Sequence, residues 1–141
     1  MTTFIASLRT TLTGYVRYRG REGHISFLLH RITGLGTLLF LLIHILDTST
    51  VYFFPGLYDH AIALYRSTFF MLQEIILVFC VIFHGINGLR IIYDDMIRPQ
   101  SWNIAGQRRS VRWTLALSLL VWLPAAAVMF RNLVVFNILG E

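Results

Sequence analysis

The chain has 141 residues, of which 56% are hydrophobic and only 13% charged, and its mean hydropathy is +0.66. Ordinary soluble domains are roughly 45–50% apolar and about 25% charged, so these values exclude disorder and argue against a soluble enzyme. All 12 basic residues are arginine and the net charge is +5. There is nonetheless too little polar surface to keep a nucleic-acid-binding domain in solution, and no nucleic-acid partner is expected. The length fits one domain.

Residues 1–24 lack a continuous apolar core of signal-peptide length. Phe4, Ile5, Leu8, Leu12, Tyr15 and Val16 recur at helical spacing. That spacing predicts an amphipathic helix on the cytoplasmic surface or docked on a partner. A spanning helix needs about 20 mostly apolar residues, and three stretches qualify: 25–46, 68–92 and 111–130. Pro55 and Gly56, in YFFPGLY after the first span, read as an interfacial turn. Pro124 is expected to kink the third span. The expectation is one all-α membrane domain over 1–141, packing with other membrane helices and lipid.

Arginine sets the orientation. Arg9, Arg17, Arg19 and Arg21 precede the first span, and Arg98, Arg108 and Arg109 lie between the second and third. The loop after span one has only Arg66 and the tail only Arg131. The positive-inside bias places the N-terminus and the second loop in the cytoplasm.

Ionisable groups inside a bilayer are costly, so each is a functional candidate. The spans contain His30, Arg31, His44, Glu74, His84 and Arg90. From helix rise, His30 and His84 lie about 8 and 6 Å to the cytoplasmic side of their span centres, and His44 about 13 Å to the outer side. His44 and His84 therefore differ in depth by about 19 Å and cannot share one haem. Neutral imidazoles from facing helices suit haem iron, and Gly34, Gly36, Gly85 and Gly88 leave room beside them. Spacing leaves open an intrachain His30–His84 haem, haems completed by a second subunit, and plain interhelical hydrogen bonds. Arg31 with His30 and Ser26 suits a quinone carbonyl or a haem propionate, but Arg31 could equally snorkel to the interface. Arg90, with Tyr93, Asp94 and Asp95, reads equally as an interfacial anchor. Glu74 reads as an interfacial carboxylate. Cys80 is alone; it forms no intrachain disulfide and reads as a small buried residue.

Two motifs now become recognisable. Ser26-Phe27-Leu28-Leu29-His30-Arg31-Ile32-Thr33-Gly34 resembles the S-x-x-x-H-R-x-[ST]-G signature of the cytochrome b556 membrane-anchor subunit of succinate dehydrogenase. His84-Gly85-Ile86-Asn87-Gly88-Leu89-Arg90, followed by Asp94 and Asp95, resembles that family's H-x-x-x-G-[IL]-R-x-x-x-x-D signature. The resemblance covers roughly residues 22 to 130. It implies that succinate is oxidised in a separate flavoprotein subunit, with electrons passing through an iron–sulfur subunit to quinone. This chain would be one of two hydrophobic anchors in the bacterial inner membrane, and the complexes could associate as trimers.

By the same resemblance His84 matches the haem b ligand, whose partner histidine comes from the other anchor. His30 matches a residue near the haem propionates, Ser26 and Arg31 match quinone-site residues, and Asp95 matches a quinone-site acid. Many members carry the serine four residues before the arginine; here Ser26 is five before, which turns its hydroxyl by about 100°. Phe40-Leu41-Leu42-Ile43-His44-Ile45-Leu46-Asp47-Thr48 resembles the dihaem, menaquinone-type branch, where the matching histidine binds a distal haem. The resemblance to that branch also allows quinone to react near the distal haem instead, leaving Ser26 and Arg31 structural or propionate-binding roles. The implied cofactors are one or two haems b, with metal ligands His84 and His44, and a quinone, menaquinone for that branch. A fumarate reductase anchor gives the same pattern. A proton-relaying transporter and a non-redox scaffold remain as other classes, and a b-type haem spectrum separates them from the redox reading.

Overall fold

The computed structural model describes residues 2–17, 22–101 and 103–139; Arg19 and Arg21, used above for orientation, lie outside them. Helix α1 spans Thr2–Arg17. Three long apolar helices follow: α2 (Glu22–Phe53), α4 (Thr68–Ile92) and α5 (Ile104–Leu133), with the shorter α3 (Pro55–Tyr65) between the first two. The three long ones are long and apolar enough to cross a bilayer, as hydropathy predicts.

The helices outrun the hydropathic spans because polar groups at their ends find partners. The Glu22 carboxylate at the start of α2 accepts from Arg112 Nη2 and Nε at 2.6 and 3.1 Å, joining the N-terminal ends of α2 and α5. At the far end of α2, the hydroxyls of Thr48 and Thr50 bond back to the carbonyls of His44 and Asp47 at 2.5 and 2.6 Å. Helix α5 begins ahead of its apolar stretch because Asn103 caps it, its Oδ1 accepting from the Gly106 N–H at 2.6 Å.

The expected turn at Pro55 is there, but a helix starts with it. Phe54 leaves the helical region with φ −146° and ψ 70°, as a residue before proline tends to. Pro55 then takes the first position of α3, where its missing N–H costs nothing. The Tyr65 hydroxyl donates to the Asp47 carboxylate, tying α3 to α2. That bond pushes the Tyr65 phenol up to about 12. Helix α4 runs into a π-helical turn, Tyr93–Ile97, and Pro99 follows. Pro124 lies within the unbroken run of α5. The Asn137 side-chain amide, in a π-helical turn after α5, donates to the Arg66 carbonyl at 2.8 Å.

Helix α4 packs against both α2 and α5, which touch each other less. Most of the positions sealed between helices are small or polar, among them Ser26, Thr33, Cys80, Asn87, Thr114 and Ser118, beside the apolar Ile75, Phe83, Val111 and Leu133. The large apolar side chains point out; Leu35, Leu38, Leu39 and Leu120 are all exposed. In water this would be an inside-out core. In lipid it is the expected arrangement, since helices there associate through small residues and interhelical hydrogen bonds. The protein is an α-helical, multi-pass membrane protein.

Candidate functional site

Two clusters occupy the α2–α4 seam, in the half nearer the start of α2. The first is a pair of histidines. The His30 and His84 rings stack with centroids 4.1 Å apart and planes within 4°, in keeping with the similar depths read from helix rise. Glycine makes the approach feasible: a Cβ on Gly34 would fall 2.8 Å from His84 Cε1 and 3.1 Å from its Nδ1. On the opposite helix, a Cβ on Gly88 would lie 3.9 Å from His30 Cε1. Gly36 gives Cys80 the same close access, with the thiol sulfur 3.2 Å from where a Cβ would stand.

His84 Nδ1 lies 3.2 Å from the His30 carbonyl oxygen. An oxygen that only accepts requires a proton on Nδ1, which leaves the Nε2 lone pair free. This is how metal-binding histidines are oriented: one nitrogen donates to a carbonyl or carboxylate, the other ligates. His84 therefore fits an axial haem ligand in tautomer and in its glycine cradle. Face-to-face stacking at 4.1 Å leaves no room for an iron between the two rings. In this arrangement His30 and His84 do not form an intrachain pair of ligands. His30 Nδ1 is buried without a hydrogen-bond partner.

The second cluster lies about one turn nearer the start of α2. Ser26, buried on α2, donates to Asn87 Oδ1 on α4 at 3.0 Å. Arg90 Nη1 reaches Ser26 Oγ at 3.4 Å, and Arg90 Nε stands 3.8 Å from Asp94 Oδ2. Ser110 Oγ on α5 donates to the same Asp94 oxygen at 3.2 Å. The chain of polar groups crosses all three spanning helices. Beside it opens a cavity of about 590 Å³, lined in part by Arg90, Asp94, Asp95, Gln107 and Arg108.

The structure distributes the sequence candidates unevenly. His30 and His84 meet. Ser26 meets Arg90 rather than Arg31: five residues turn about 140° on a helix, and Arg31 is exposed on the outside of α2, its guanidinium 5.5 Å from the Phe27 ring centre. Asp95 is exposed and borders the cavity, while its neighbour Asp94 is buried. His44 stands apart, exposed and stacked on Phe40 at 5.5 Å. Sequence reading passed over Asn87, which is 1% exposed. Its signal was available, since Asn87 is one turn beyond His84 on an otherwise apolar helix.

The comparisons agree with this architecture. Residues 9–125 match the family described as succinate dehydrogenase/fumarate reductase transmembrane subunit. A relative from Mycobacterium tuberculosis, succinate dehydrogenase 2 membrane subunit SdhC, is 34% identical over 113 residues, covering 79% of each chain. The chain belongs to the succinate dehydrogenase/fumarate reductase transmembrane subunit family.

Proposed function

We propose that this chain is the haem b-binding, quinone-site-forming anchor of a succinate:quinone oxidoreductase. On this reading it lies in the bacterial cytoplasmic membrane with its N-terminus inside. It receives electrons from an iron–sulfur subunit whose flavoprotein partner oxidises succinate, and a second hydrophobic anchor completes the bundle. The carrying observation is His84, whose Nδ1 is committed to the His30 carbonyl while Nε2 stays free. Haem b, when bound, supplies a one-electron centre within the bilayer.

The chain's own residues have separable tasks. Gly34 and the His30 carbonyl fix the His84 ring, and Nε2 would be the atom that holds the haem iron. The unpartnered His30 Nδ1 suits a propionate. Ser26, on the α4-facing side of α2, and Arg31, on its outer face, would meet quinone from different sides of the helix, with Asp95 beside the cytoplasmic cavity. Arg31 is exposed at a depth where lipid gives it no partner, which suits a site shared with a neighbouring subunit. His44, equally exposed, fits a distal haem held with the second anchor, and its match to the dihaem branch favours menaquinone.

The test is purification of the intact complex with haem counted per flavin. The reading expects copurified flavoprotein and iron–sulfur subunits, succinate-dependent quinone reduction and two haems b. A haem-replete preparation with no b-type absorbance would overturn it.

A further inference from the structure

We infer that Asp94, held by Ser110, is a positioning residue that aims the Arg90 guanidinium at Ser26 and so shapes the cytoplasmic quinone-carbonyl site. The inference rests on the proposed quinone function and adds three residues to it: Arg90, Asp94 and Ser110. Asp94 is 8% exposed and lies in the turn after α4, where it meets α5 and borders the cavity. A carboxylate is not buried there without compensation. Its Oδ2 takes both the Ser110 hydroxyl, at 3.2 Å, and the approach of Arg90 Nε, at 3.8 Å.

Arg90 is itself largely buried, its side chain 15% exposed, and its other contact is Ser26 Oγ at 3.4 Å. Its Nε has no hydrogen-bond partner, so the ion pair with Asp94 is what holds that edge of the guanidinium. Ser26 in turn donates to Asn87. Its hydroxyl oxygen therefore faces a cation, and its proton is directed by an amide. The four-residue spacing sets the choice between neighbouring acids: Asp94 comes round to the Arg90 side and pairs with it, whereas Asp95 is exposed. Arg90 and Asp94 also border the open cavity, which links the ion pair to the surface from which a headgroup would approach. Removing the carboxylate takes away the ion-pair partner of Arg90 and frees the guanidinium to swing from Ser26 into that cavity, toward Asp95.

The test uses the whole purified complex with 2,3-dimethyl-1,4-naphthoquinone as acceptor. Asp94→Asn is expected to raise the quinone KM about tenfold, the size expected when a charged group loses its bonded partner. The effect on kcat should be smaller. Asp94→Glu should recover most of the loss, and Ser110→Ala, a milder change that preserves packing, should move KM in the same direction. Succinate oxidation by a soluble dye acceptor and the haem content report assembly. Asp59→Asn, on exposed α3, is the unaltered control. If Asp94→Asn and Ser110→Ala assemble normally and keep the wild-type quinone KM, the positioning role is wrong. If Asp94→Glu behaves like Asp94→Asn, the carboxylate charge is not what matters and the inference also fails. A wild-type complex that does not reduce quinone at all would instead overturn the functional reading beneath it.

Discussion

Gly34→Ala is the smallest perturbation that should disturb His84, the proposed haem ligand, without replacing it. The new methyl would stand 2.8 Å from His84 Cε1, so the ring or the helix must yield about 0.6 Å to reach the ordinary 3.4 Å contact. Overpacking of this kind costs about 1–3 kcal/mol. The Nδ1 bond to the His30 carbonyl, already 3.2 Å long, would lengthen beyond useful range and forfeit about 1 kcal/mol. Disturbing the group that orients a metal-bound histidine lowers metal affinity about 10–100-fold. The assay is haem loss from purified complex to excess apomyoglobin, followed by absorbance. Gly56→Ala, where a Cβ meets nothing within 4 Å, is the control. The expectation is faster haem loss from Gly34→Ala, by about tenfold or more. If Gly34→Ala keeps its haem as long as the control does, with an unaltered spectrum, the cradle argument is refuted.

Three further outcomes are expected. His44→Ala should lose one of two haems and keep the His84-dependent one; an unchanged haem count would remove His44 from the ligand set. Arg31→Ala should raise the quinone KM and weaken a competitive quinone-site inhibitor while dye-linked succinate oxidation stays normal, and unaltered quinone kinetics would assign Arg31 to the lipid interface. Tyr65 should resist ionisation. Its folded pKa, about 12 against 10.0 unperturbed, means its stabilising contribution is full below pH 10.0 and fades as pH rises toward about 12. Wild type minus Tyr65→Phe ultraviolet titration should show phenolate only near that upper value, and a midpoint near 10.0 would contradict the Asp47 bond.

The parts of the fold governed by hydrocarbon were legible in the sequence. The second span was read as 68–92, and α4 is Thr68–Ile92. The first and third helices extend past their apolar stretches because hydropathy marks lipid contact, not helix length. Glu22 paired with Arg112, and Asn103 capping α5, carry the backbone into water. Helix α3 was hidden by Pro55, which reads as a breaker but is also a good first residue.

At the site, depth arithmetic brought His30 and His84 to one level, and contact confirms it. Ser26 was grouped with Arg31 by nearness in sequence, yet its hydroxyl meets Arg90 on another helix. Such a pairing depends on which faces of α2 and α4 meet, and composition does not encode that. Asp94 could have been found by its four-residue offset from Arg90, whereas its partner Ser110 could not.

The central claim is that His84 carries a haem at the α2–α4 seam. Its most direct test is the dithionite-reduced minus oxidised spectrum of the purified complex, wild type beside His84→Ala. The account predicts a b-type α band in wild type and loss of one haem's share of it in His84→Ala. A full band in the variant, in complex that still contains every subunit, would contradict it.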